Sequence, residues 1–157
     1  MHKLVALASL ACVAALAGCG DGAKDKTATS DAAPLTKAQY VTKADAICAT
    51  SMQQITTAGA RLRAATKKTG KLPPRDVIVK FLTKTSLPTY DRMIDRLRTL
   101  TPPAADAKTI DGYIASLAGA VDKVKADPAK YADTSAEDPF DDANARAKAY
   151  GLEVCGS

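Results

Sequence analysis

Leu35-Thr36-Lys37-Ala38-Gln39-Tyr40-Val41-Thr42-Lys43-Ala44-Asp45-Ala46-Ile47-Cys48 is the stretch whose reading decides the fold. Thr36 and Gln39 stand at capping-box spacing: the threonine hydroxyl accepts from the N–H three residues on, and the glutamine reaches back to the threonine N–H. Leu35 and Tyr40 hold the two positions of a hydrophobic staple around that box. From there Tyr40, Val41, Ala44, Ile47, Cys48, Met52, Ile55, Gly59 and Leu62 recur at three- and four-residue steps. That period puts them on one face of an α-helix. No proline interrupts before Pro73, and Gly70 is a natural C-terminal stop. The pattern predicts a helix over residues 37–69, about 50 Å long. Such a length belongs to helical bundles.

Beyond it, Pro73-Pro74 opens a second helix with Val77, Ile78, Phe81, Leu82, Met93, Ile94, Leu97 and Leu100 as its apolar stripe. Pro88 lies inside, where a missing N–H and a ring clash predict a kink or a split. Thr101-Pro102-Pro103 ends that element. A third helix over residues 105–126 is marked by Ile110, Tyr113, Ile114, Leu117, Val121 and Val124, and Asp127-Pro128 closes it. Residues 129–137 read as irregular chain or a single turn around Tyr131. Asp138 and Pro139 supply an N-cap and a first-turn proline for a short fourth helix along Phe140, Ala143, Ala147 and Tyr150, with Gly151 as its C-cap. Val77-Ile78-Val79 is the one β-branched run, and its neighbours keep helical spacing. With no Trp, two Phe and five Tyr, the core must be aliphatic and rich in Ala, which lets helices approach closely. The expected fold is all-α: an antiparallel up-down bundle of about four helices, the second kinked at Pro88, in one domain over residues 35–157.

Upstream, Met1-His2-Lys3 precedes an apolar run from Leu4 to Leu16, shorter than the about 20 residues a membrane span requires. The alternative, an ordinary buried helix, sits poorly with the extreme N-terminal position and the abrupt polar sequence that follows. The run ends in Leu16-Ala17-Gly18-Cys19, which resembles a bacterial lipobox. The resemblance implies a lipoprotein signal peptide over residues 1–18, exported by the general secretory route because no Arg pair precedes it. Cys19 would then carry a diacylglyceryl group and anchor the chain to the outer face of the cell membrane. Residues 19–34 hold no large apolar side chain, and read as a flexible tether reaching about 50 Å when extended.

Acylation of Cys19, with Cys12 removed in the signal peptide, leaves Cys48 and Cys155 in a compartment where disulfides persist. A Cys48–Cys155 bridge follows by elimination; the alternative is two buried free thiols. Four passes return the chain end beside the start of the first helix, as the bridge requires.

The motifs Tyr40-x-x-x-Ala44-Asp45-Ala46-Ile47-Cys48, Leu97-x-x-Leu100-x-Pro102-Pro103-Ala104 and Ala147-x-x-Tyr150-Gly151-x-x-x-Cys155-Gly156 resemble those of a group of small secreted or lipid-anchored helical proteins of high-GC Gram-positive bacteria. The group carries no assigned biochemical activity, so the resemblance implies the bundle and the bridge and nothing about catalysis.

His2 is the only histidine and falls in the signal peptide. Histidine-dependent triads, His-ligated metals and histidine pH switches are therefore excluded from the exported part. No phosphate-binding glycine loop is present, and no pattern calls for a cofactor or a metal. Asp133, Glu137, Asp138, Asp141 and Asp142 cluster before the fourth helix, where capping and the helix dipole favour acids. Weak Ca²⁺ binding and carboxylate catalysis are the sharper alternatives, and the spacing is not that of an EF-hand. Residues 61–98 hold eleven Lys/Arg against three Asp, and residues 104–157 six basic against ten acidic groups. The two halves are expected to pack side by side and complement one another.

Arg61, Arg63, Lys67, Lys68, Lys71 and Arg75 gather around the first interhelical turn and make a candidate contact for anionic lipid or an acidic envelope polymer. Nucleic acid is not expected without aromatic–basic interleaving. Tyr40 and Tyr150 are expected to plug the bundle end with their hydroxyls reaching solvent. The sequence reads as a membrane-anchored, non-enzymatic, extracytoplasmic binding or interaction module. The alternative is a carrier or sensor of a small apolar or lipidic ligand, in a groove that Pro88 opens.

Overall fold

A computed structural model describes residues 33–67, 72–133 and 136–157. Helix α1 runs Lys37–Lys67. Its start is the reciprocal box read from the sequence: the Thr36 N–H donates to Gln39 Oε1 at 3.0 Å and the Gln39 N–H to Thr36 Oγ1 at 3.3 Å. Tyr40, Ala44, Ile47, Cys48 and Ser51 make its buried stripe, all in the first half; Gly59 is the one buried residue beyond them. Ile55 and Leu62 are only half-buried. The distal half of α1 therefore extends past most of the core.

The second predicted helix is continuous through its proline. α2 (Arg75–Phe81) passes into a π-helical turn (Leu82–Ser86) and then α3 (Leu87–Arg98), with right-handed helical dihedrals at both junctions. The Leu87 N–H donates five residues back to Leu82 O. A ring at Pro88 clashes with an α-helical carbonyl four residues earlier, and widening the preceding turn relieves that clash without breaking the helix. Threonine hydroxyls take up carbonyls on either side: Thr83 donates to Val79 O at 2.9 Å and Thr89 to Thr85 O at 2.8 Å.

After Pro103 a 3₁₀ turn (Ala104–Asp106) leads into α4 (Ala107–Ala126), where the expected helix began directly. Ile110, Tyr113, Ile114, Leu117, Ala120, Val121 and Val124 form its buried face. A second 3₁₀ turn (Lys130–Ala132) contains Tyr131, as expected. Helix α5 (Asp141–Tyr150) starts later than predicted. Asp138 Oδ1 accepts the Phe140 N–H at 2.9 Å, so Asp138-Pro139 forms a turn before the helix and Phe140 is the residue that precedes its first turn. Gly151 ends α5 at φ 103°, with the Gly151 and Leu152 N–H groups donating to Ala147 O at 3.1 and 2.9 Å. This is a Schellman motif, and it needs the left-handed backbone that glycine adopts freely.

The path is up-down-up-down. The Leu35 N–H bonds Thr101 O, setting the start of α1 beside the end of α3; Arg75 reaches Ala129 O beyond α4; the Tyr150 hydroxyl meets Asp106 at the start of α4. α1 packs on α3, α3 on α4 and α4 on α5. The chain end is fastened twice. Cys48 and Cys155 form a disulfide, Cα atoms 5.2 Å apart, and Asp45 Oδ1 accepts the N–H groups of Val154 and Cys155 at 3.1 Å each. Among the described residues there is no strand, and no helix is long and apolar enough to cross a membrane.

Candidate functional sites: a basic tip and a cavity at the π turn

Cys19 lies outside the described residues, as do Lys68 and Lys71 of the basic group. Arg61, Arg63 and Lys67 stand exposed on the last turns of α1, and Arg75 opens α2. Arg75 is committed to the fold: its Nη2 and Nε donate to Ala129 O at 2.8 and 3.3 Å, holding the α4–α5 connection against α2. Among the described residues, ion pairs join Arg98 to Asp95, Lys125 to Asp91 and Asp122, and Arg146 to Asp142. None reaches the tip. One of them, Lys125–Asp91 at 2.7 Å, crosses between the basic and acidic halves, and each half supplies the charge it holds less of. Among the described residues the halves meet along the aliphatic face of α4, with this one ion pair across them. Leu72 is 89 % exposed beside this end.

The acidic cluster divides. Asp141 and Asp142 occupy the first turn of α5, and Asp142 Oδ2 accepts from Ser116 Oγ at 2.6 Å and Arg146 Nε at 2.8 Å. Those bonds, the one from Arg146 foremost, hold its carboxyl below the usual range. Asp133, Glu137 and Asp138 lie instead along the α4–α5 connection, at the rim of a cavity of about 200 Å³. Leu82, Ser86, Leu87 and Tyr90 line it from the π turn and α3, with Val124 and Phe140 opposite. The Tyr90 and Phe140 rings stack at 4.8 Å with planes 20° apart. Burial, and next the Asp138 charge, push the Tyr90 hydroxyl up to about 12. No group of three or more acidic, Cys or His residues among the described residues is placed to hold a metal ion.

The bundle end departs from expectation. Tyr40 is fully buried and its hydroxyl, like that of Tyr113, has no hydrogen-bond partner among the described residues; it does not reach solvent. The end is closed over it. The Tyr150 ring meets Tyr40 edge-on at 6.1 Å, Lys37 Nζ lies 4.4 Å over the Tyr150 ring, and the Tyr150 hydroxyl donates to Asp106 Oδ2 at 2.8 Å.

Sequence reasoning singled out Pro88 but not Ser86 or Tyr90, because the π turn that faces them inward follows from tertiary packing. Asp45 falls within a motif of the resemblance, and nothing in the sequence points to its role in capping the C-terminal turn. Compared with known proteins, the chain matches no family model, no curated protein and no solved structure.

Proposed function

We propose that this chain is a lipid-anchored, extracytoplasmic, non-enzymatic interaction module, tethered through Cys19 and meeting an anionic surface with the basic tip of its bundle. The observation that carries the proposal is the uncompensated charge of the tip. Arg61, Arg63 and Lys67 are exposed and lack ion-pair partners among the described residues. The tether enters at Leu35, beside Thr101, while the basic end lies a full α1 length away, about 46 Å for its 31 residues. A tether of about 50 Å over residues 19–34 is long enough for that tip to meet an acidic polymer or an anionic surface. The Cys48–Cys155 disulfide agrees with an oxidising address, and the resemblance to small lipid-anchored helical proteins points the same way.

The test is docking. The processed protein, held in neutral vesicles by its own anchor, is mixed with anionic or neutral target vesicles across a salt series. Anionic targets alone should be captured, capture should fade as salt rises, and joint replacement of Arg61, Arg63 and Lys67 by Glu should abolish it. Equal capture of both targets removes the proposal.

A second reading, a carrier or sensor of a small ligand between the helices, is favoured by the lined cavity at the π turn.

A further inference from the structure

We propose that the cavity beside the π turn binds a small organic cation: an ammonium group carried on one apolar ring or a short chain. The inference rests on the second reading above and names the chemistry of the ligand.

Size comes first. An apolar cavity of about 150 Å³ accommodates benzene, so about 200 Å³ takes one ring with a short arm. The wall then supplies a polar group that lines the cavity. Ser86 is 7 % exposed and lines the cavity, and its hydroxyl makes no hydrogen bond among the described residues. A helical serine ordinarily donates to the carbonyl four residues back, as Ser51 does to Ile47 O at 3.0 Å. Ser86 ends the π turn and does not do so. The occluded unpaired hydroxyls are those of Tyr40 and Tyr113; the Ser86 oxygen is open to the cavity, where a donor on a ligand would take the place of water.

The rim selects the sign of charge. Asp133, Glu137 and Asp138 line the mouth; on the outer side of the same connection Asp141 and Asp142 join them, against Lys123 and Lys130. Arg146 pairs with Asp142, so four carboxylates stand against the two ammonium groups, a balance that attracts a cation and repels an acid. Aromatic faces complete the site, with the stacked Tyr90 and Phe140 inside and Tyr131 at the edge. On the outer side of the connection Lys130 Nζ lies 5.4 Å over the Tyr131 ring, so this aromatic face already accepts a cation–π contact.

The experiment titrates the processed protein in detergent with three probes of one shape, phenethylammonium, 2-phenylethanol and 3-phenylpropionate, by calorimetry. The ammonium should bind about tenfold more tightly than the alcohol, an advantage that charge-assisted bonding supplies, and the carboxylate should not bind. Raising salt should shrink the advantage. Glu137→Gln and Asp138→Asn should each weaken the ammonium roughly two- to fivefold and leave the alcohol unchanged. Asp138→Asn keeps a side-chain oxygen to accept the Phe140 N–H, and Glu137→Gln touches no bond of that turn. Equal affinity for ammonium and alcohol overturns the cation assignment while the carrier reading stands. Binding of none of the three overturns both.

Discussion

Replacing Tyr113 by Phe should stabilise this protein. Tyr40 and Tyr113 are 0 % and 1 % exposed, and their hydroxyls have no partner among the described residues. Burying a hydroxyl without a hydrogen bond costs about 1–3 kcal/mol. Phe keeps the ring, and with it the packing around Tyr113 and the edge contact of Tyr40 on Tyr150. A void of one oxygen takes back part of the gain, so each substitution should add about 0.5–1.5 kcal/mol. The control is Tyr150→Phe. That hydroxyl donates to the Asp106 carboxylate at 2.8 Å, and its removal should cost about 1–2 kcal/mol. Urea unfolding resolves these shifts as changes in midpoint at constant slope. If Tyr40→Phe and Tyr113→Phe each cost more than about 1 kcal/mol, the hydroxyls are hydrogen-bonded in solution and the reasoning fails.

Three further outcomes follow from the same packing. Removing the disulfide with Cys48→Ala and Cys155→Ala frees a loop of sequence separation 107 and should cost about 5 kcal/mol; a midpoint shift worth under about 1 kcal/mol would contradict the closure argument. Gly156→Ala should cost about 1–3 kcal/mol, because a Cβ there would meet the backbone oxygens of Asn144 at 2.9 Å and Leu152 at 3.1 Å, which cannot swing aside as Lys148 Cγ can; unchanged stability in urea would show that the C-terminal turn adapts freely. Alkaline pH should unfold the chain. Burial, then Asp111 for Tyr40 and Asp138 for Tyr90, raise these two hydroxyls from 10.0 to about 12, so above pH 10 the unfolded chain gives up protons that the folded one keeps. Stability is full below pH 10 and falls through the 10–12 window by up to about 1.4 kcal/mol per pH unit for each tyrosine; a urea midpoint unchanged from pH 9 to 11.5 would refute this.

The parts of the fold that depend on local chemistry could be read directly. Thr36 and Gln39 start α1 because a capping box needs only four consecutive residues, and Gly151 ends α5 because its backbone is left-handed. The bridge is expected once the lipobox reading sets Cys12 and Cys19 aside, and Cys48 and Cys155 are joined. Pro88 was legible as a disturbance but not as a π turn: whether a helix kinks, splits or widens depends on what its neighbours pack against, and here α3 stays locked to α1 and α4. The cavity depends on that widening together with the Asp138-Pro139 turn, so no single segment encodes it. The buried Tyr40 hydroxyl was misplaced for a similar reason. The closure above it is made by Lys37, Tyr150 and Asp106, which come from three distant parts of the chain.

A lipid-anchored module with its two domain cysteines joined is tested most directly by the intact mass of the chain extracted from the membranes of cells that make it, before and after reduction and alkylation. The account predicts a chain that begins at Cys19 with a diacylglyceryl group, takes up no alkylating agent without reductant, and takes up two equivalents once reduced, at Cys48 and Cys155. A mass that retains residues 1–18, with Cys19 open to alkylation before any reduction, would contradict it.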